Sequence, residues 1–144
     1  MFLTKNDLQS IIRLYRLNQM LDDDTNNIIL NDVLETAEQT VRDHLYQHYN
    51  IGVIFSATLN DRKKNVLRWC KYIAIYLLYD RIADELVPDR VVKNYNETMD
   101  FLMKIAEGQV PVELPRKTIP NPNDPANPKK ATKMKWGSLP PRTY

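Results

Sequence analysis

The stretch from Val66 to Ile82, VLRWCKYIAIYLLYDRI, constrains this chain more than any other. Its middle, Tyr72 to Tyr79, runs eight residues without a charge. That is too short to span a bilayer, which needs about 20 apolar residues. The apolar pattern continues on both sides at helical spacing. Val66, Trp69, Cys70, Ile73 and Leu77 lie on one face, and Leu67, Ala74 and Leu78 on another. A helix that is apolar on almost every side has to be buried. The stretch therefore predicts a central helix with the other helices packed around it. Arg68 and Lys71, and Asp80 and Arg81 beyond the uncharged run, mark where it meets polar surroundings.

The rest of the chain supplies partners for that helix. Thr4 with Asp7 resembles a capping arrangement. Leu8, Ile11, Ile12 and Tyr15 recur at helical steps, which predicts a first helix over 5–16 followed by a connection over 17–21. Asp22-Asp23-Asp24-Thr25-Asn26-Asn27 reads as a helix N-terminus, where side-chain oxygens cap and acids favour the positive end of the dipole. A second helix is predicted over 27–49 from Leu30, Val33, Ala37, Val41, Leu45 and His48, a rod of roughly 33 Å at about 1.5 Å per residue. Residues 50–60 form a connection carrying Val53, Ile54 and Phe55. It is either a short extended piece or an apolar loop that meets a neighbouring subunit, since an apolar loop tip is unusual on a monomer. Asn60 or Asp61 would cap the central helix, which then runs to about Asp84. Pro88 opens a last helix striped by Val92, Tyr95, Met99, Leu102 and Ala106, and Gly108 ends it. The expectation is an all-α fold: a four-helix bundle with a long second helix, a buried third helix and an extended C-terminal arm rich in proline and lysine.

A division into a helical domain over 1–108 and an arm over 109–144 follows from composition. The arm holds eight of the nine prolines, a density that excludes helix and central strand. The first part carries 13 Lys+Arg against 16 Asp+Glu, and the arm 7 against 2. An acidic body thus bears a basic tail. Lys129, Lys130, Lys133 and Lys135 surround Trp136, with Leu139 and Tyr144 beyond. A tryptophan in a basic, otherwise unfolded tail suggests an anchor for another protein's pocket. The plain alternative is an inert, solvated end.

Several classes of chemistry lack their residues. Cys70 is the single cysteine, so no intramolecular disulfide is possible and a reducing compartment is expected. The start MFLTKNDLQS lacks the pattern of a signal peptide, which points to a soluble, intracellular protein. His44 and His48 share a helical face but lack the third and fourth ligands that zinc requires. The contiguous acids Asp22 to Asp24 lack the alternation, the glycine and the distant glutamate of a calcium loop. No glycine-rich phosphate loop, CxxC, GxSxG or HExxH occurs. Asp80 and Asp84 share a face, as paired carboxylates in acid–base catalysis would, but such pairs more often sit on solvated surface. The sequence therefore predicts no enzyme, no cofactor and no metal.

Four segments together resemble a family, the small helical head–tail connector proteins of Mu-like and related tailed bacteriophages. The early helix follows Thr4-Lys5-Asn6-Asp7-Leu8. The long helix reads Ala37, Glu38, Val41 and Leu45, ending at Tyr49. The third reads Ile73, Ala74, Tyr76, Leu78, Tyr79, Asp80 and Arg81. The fourth reads Tyr95, Phe101, Leu102, Ile105, Ala106 and Gly108. The resemblance covers residues 4–115. It implies a virion structural protein at the head–tail junction, present in the host cytoplasm before assembly. Its subunits would form a homo-oligomeric ring under the portal protein, twelvefold if it follows the portal. The ring would extend the DNA channel and offer a platform to the tail or a further neck protein, with no membrane involved. The role of the tail rests on its own residues.

Three readings follow. In the first the chain is a non-enzymatic connector subunit whose arm docks on the portal through the lysines and Trp136, with Val53, Ile54 and Phe55 meeting a subunit or the tail. In the second the tail binds nucleic acid, its lysines on phosphates and its tryptophan stacked on bases. The two are compatible where DNA passes through a ring. In the third the chain is a host-side interaction module or small enzyme, which no residue pattern promotes.

Overall fold

The computed structural model describes residues 1–82, 86–119 and 129–130. Its α-helices are α1 (Lys5–Leu8), α2 (Leu14–Met20), α3 (Ile28–Leu45), α4 (Ile51–Ser56), α5 (Lys64–Asp80) and α6 (Asp89–Ala106). A single 3-10 turn occupies Leu59–Asp61, and a two-residue antiparallel ladder pairs β1 (Thr118–Ile119) with β2 (Lys129–Lys130). The fold is all-α, as the hydrophobic periodicity predicts.

The three long helices pack mutually, and α5 touches α1 as well as α3 and α6. The uncharged run is therefore central. Nine residues of α5 are buried, from Val66 through Tyr79, including Trp69, Cys70, Ile73 and Leu78. Helix α3 contributes Leu30, Val33, Leu34, Ala37, Val41 and Leu45 at steps of three and four. Helix α6 contributes Val91, Leu102 and Ile105. Rings join α5 to α6: Trp69 and Phe101 lie 5.7 Å apart, and Tyr76 stacks on Tyr95 at 3.9 Å and 14°.

Helix boundaries differ from the periodicity-based expectation in four places. The helix expected over 5–16 is two helices, because the chain turns after Leu8 and Arg13 is extended, at φ −68° and ψ 146°. The stretch expected as a connection, 17–21, is largely α2, whose Leu17 and Met20 are buried while Tyr15 is exposed. The segment 50–60 is likewise no loop. The Asn50 side chain accepts the Val53 N–H at 3.2 Å and starts α4. Helix α5 begins at Lys64 and not near Asp61, because Arg62 and Lys63 are extended.

The N-terminal signals hold. The Asp7 carboxylate accepts both the Thr4 N–H and the Thr4 hydroxyl at 2.8 Å. At the start of α3, Asn26 and Asn27 take left-handed conformations, φ 59° and 58°, which asparagine tolerates better than most residues. Asp24 reaches over them and accepts from Ile29 N–H and Leu30 N–H at 2.8 and 2.9 Å. The acidic block is a helix N-terminus. Gly108, at φ 76°, closes α6 as expected of a C-terminal glycine.

Candidate functional site

Two regions bear on interaction: the start of the C-terminal arm and the apolar segment at 53–55. The arm does not leave the body at Gly108. Asn50 N–H donates to Pro115 O at 2.8 Å, and Lys117 N–H donates to His48 O at 3.1 Å. Between these bonds Tyr49 and Arg116 form an antiparallel bridge. The Tyr49 hydroxyl accepts the Val112 N–H at 3.2 Å, and Leu114 is buried. Two cations complete the contact: the Arg116 guanidinium lies 5.6 Å from the Tyr49 ring centroid, and Lys117 Nζ 4.3 Å from that of Tyr46. Residues 112–117 thus run along the segment joining α3 to α4. A proline has no N–H to donate, but its carbonyl still accepts, as Pro115 O does from Asn50 N–H.

Of the expected anchor residues, Lys129 and Lys130 form β2, whose backbone pairs with Ile119 and Thr118 respectively. Lys133, Lys135, Trp136, Leu139 and Tyr144 lie outside the described residues. The second expected contact, Val53, Ile54 and Phe55, needs correction. Ile54 and Phe55 are buried, and only Val53 is exposed. The Phe55 ring stands 4.9 Å from that of Phe2, and the Arg42 guanidinium 4.7 Å above it. Once 51–56 coils into a helix, its two largest apolar side chains turn inward together, which an extended loop would not allow.

The other candidates have structural roles. His44 Nδ1 lies 2.7 Å from Thr40 O. His48 is buried, and its Nε2 has no hydrogen-bond partner among the described residues. Asp80 is exposed, and its expected partner Asp84 lies outside the described residues. Burial pushes the Cys70 thiol far up, the charge of Glu38 adds to that, and Arg42 opposes it. The thiol is therefore no nucleophile in the folded protein. Arg81 donates to Met20 O at 2.7 Å and pairs with Asp23 at 2.8 Å, closing the C-terminus of α2. Among the described residues no group of three metal-ligating side chains converges, and no helix is long and apolar enough to cross a membrane.

Two anchoring residues escaped the sequence reading of roles. Glu38 is buried in α3, and its Oε1 accepts the Leu3 N–H at 2.7 Å. Arg62 donates to both Asp7 oxygens at 2.7 and 2.9 Å, to Phe2 O at 2.8 Å and to Leu59 O at 2.9 Å. Burial works to raise the Asp7 pKa, but the Arg62 and Thr4 hydrogen bonds and the Arg62 charge outweigh it and hold the carboxyl below its ordinary value. For Glu38 the available signal was a lone carboxylate on the apolar stripe, between Ala37 and Val41. Arg62 carries no local signal for this role, since apart from Leu59 O its partners Asp7 and Phe2 lie 55 and 60 positions away in the chain.

These features describe a small helical bundle, with its long helices packed on one core and its polar groups fastening one segment to another. A family model described as Bacteriophage Mu, Gp36 matches residues 2–129. The chain belongs to that family, and is a bacteriophage protein of structural, virion-related kind. Neither the curated proteins nor the solved structures gave a match.

Proposed function

We propose that this protein is a non-enzymatic subunit of the head–tail connector. Copies of it form a ring beneath the portal protein, twelvefold if it follows the portal, which extends the DNA channel and presents a platform to the tail or a further neck protein. The arm beyond Ile119 docks on the portal, with Trp136 as anchor and Lys129, Lys130, Lys133 and Lys135 against acidic surface. Membership of the Mu phage family supports a virion role. The observation that carries the docking reading is the fastened root of the arm. With residues 112–117 held on the α3–α4 segment, everything beyond Ile119 starts from a fixed point on the body. A tethered segment of that kind acts at high effective concentration once one contact forms, and a ring multiplies the gain.

The test is capture of the cognate portal assembly by the full chain and by a chain ending at Ile119. That end point keeps the buried Leu114 and the hydrogen bonds of the root, so loss of capture would report docking and not unfolding. Capture by both would move the portal contact to the helical body. Capture by neither would remove the connector reading. Trp136→Ala separates the anchor from the lysines, and unchanged capture by that variant would sink the anchor claim.

A further inference from the structure

Two of the three long helices carry opposite charge on their outward faces. On α3 the exposed residues Asp32, Glu35 and Asp43 fall within about 80° of arc, at 100° per residue, with Gln39 between them. The exposed residues of α3 include no lysine or arginine. On α5, Lys64, Arg68 and Lys71 fall within about 60°. They edge two shallow grooves that meet at Arg68 and Tyr72. One, of about 430 Å³, lies beside Ser10 and Ile11; the other, of about 340 Å³, is closed on its far side by Asn94, Glu97 and Phe101 of α6.

Among the described residues the basic stripe makes no ion pair within the subunit. Among the described residues Lys64, Arg68, Asp32 and Glu35 have no ion-pair partner. Lys71 donates to the Ser10 hydroxyl at 2.9 Å and not to a carboxylate. Burial lowers its pKa, and the charges of Lys64, Arg62 and Arg68 lower it further, against the opposing pull of Asp7. Because α3, α5 and α6 pack as a triangle, the outward faces of α3 and α5 point in different directions. A subunit can therefore offer one stripe to each of two neighbours and cannot satisfy both stripes itself.

We propose that the α5 groove around Arg68 and Tyr72 receives the acidic face of α3 from a second copy of this chain. The contact is heterologous, with each copy giving a basic face on one side and an acidic face on the other. Such contacts propagate until they close. At 1.5 Å per residue the acidic stripe spans about 16 Å and the basic stripe about 10 Å, so the acidic face is long enough to cover the basic one along its whole length. Tyr72, half-buried beside Arg68 where the two grooves meet, gives the contact an apolar centre. The proposal rests on the ring reading above and supplies the surfaces by which copies would meet.

The test is a charge exchange on the full chain, read as molar mass by sedimentation or light scattering at low salt. One variant carries Lys64→Glu with Arg68→Glu, the other Asp32→Lys with Glu35→Lys. All four positions are exposed, so far-UV circular dichroism and the melting curve should stay close to those of the parent. The parent should self-associate with rising concentration and lose about tenfold in affinity when ionic strength rises severalfold. Each variant alone should associate about a hundredfold more weakly, through facing like charges. Their equimolar mixture should regain the mass of the parent, because each then meets its complement. Association of both variants like the parent would overturn this interface while leaving the ring reading intact. A parent that stays monomeric at every concentration would overturn both. A monomeric parent that captures duplex DNA, with capture lost on Lys64→Glu and Arg68→Glu, would assign the stripe to nucleic acid instead.

Discussion

Removal of the Arg62 side chain should loosen the whole N-terminal quarter of the protein. Arg62 joins Asp7, Phe2 O and Leu59 O in one fork, and the side chains of Arg62 and Asp7 retain only 15% and 12% of their exposure. Arg62→Ala would leave the Asp7 carboxylate largely buried without its cation and strand the Phe2 carbonyl. Breaking a fully buried pair costs about 3–5 kcal/mol. Some water reaches this one, so about 3 kcal/mol is expected, a fall in Tm on the order of 10 °C for a chain of this size. Arg62→Lys should recover less than half of that, because an ammonium cannot make the two parallel bonds of the guanidinium fork. A double-mutant cycle with Asp7→Asn, followed by urea denaturation, should give a coupling of about 2 kcal/mol. The pH dependence has a definite sign. The folded Asp7 pKa is lowered, so the contribution of the pair is complete above the unfolded aspartate value of about 3.9 and is lost as pH falls through the lower folded value. Asp7→Asn should therefore flatten the acid limb of the stability profile. A loss under about 1 kcal/mol in Arg62→Ala, or additive single variants, would refute the assignment of this fork as a principal fastening.

Asp24→Ala should cost about 1–2 kcal/mol by freeing the Ile29 and Leu30 amides at the start of α3, with Asp24→Asn losing less, as chemical denaturation would read. Tyr49→Phe removes the acceptor of the Val112 N–H. It should cost about 1 kcal/mol and speed hydrogen exchange at Val112 more than within α3. Cys70 should resist a thiol reagent in the native protein and react stoichiometrically once urea unfolds it, since burial keeps the thiol protonated and covered.

The legible parts of this fold are those where a long segment meets the core along its whole length. The residues from Val66 to Tyr79 carry a pattern that only a buried helix satisfies, and α5 is that helix. The stripe of α3 was equally plain, as was the polar block 22–27 as a helix N-terminus; that Asp24 is the residue that accepts the amides was not. The short helices were harder for a physical reason. Leu8, Ile11 and Ile12 keep helical spacing across a turn, because buried residues on either side of a bend face one core whether or not the helix is continuous. What breaks it is the docking of Leu17 and Met20, a tertiary demand with no glycine or proline to announce it. Helix α4 misled in the opposite sense. Val53, Ile54 and Phe55 look like an exposed apolar tip only if the segment is extended, and a six-residue helix capped by Asn50 turns two of the three inward. The root of the arm was illegible because its hold on the body uses backbone groups of Asn50, Pro115, His48 and Lys117, which every sequence possesses.

That last attachment has a mechanical consequence. A pull on the chain beyond Ile119 is borne first by the bonds at Lys117 and Pro115 and by the Tyr49 hydroxyl, all set side by side along residues 48–50. The load enters the body at the C-terminal end of α3, the helix whose Glu38 also holds the start of the chain. Tension at one terminus is thus delivered to the element that grips the other. The last helix, α6, is separated from the pull by residues 107–111 and is spared until the root peels away.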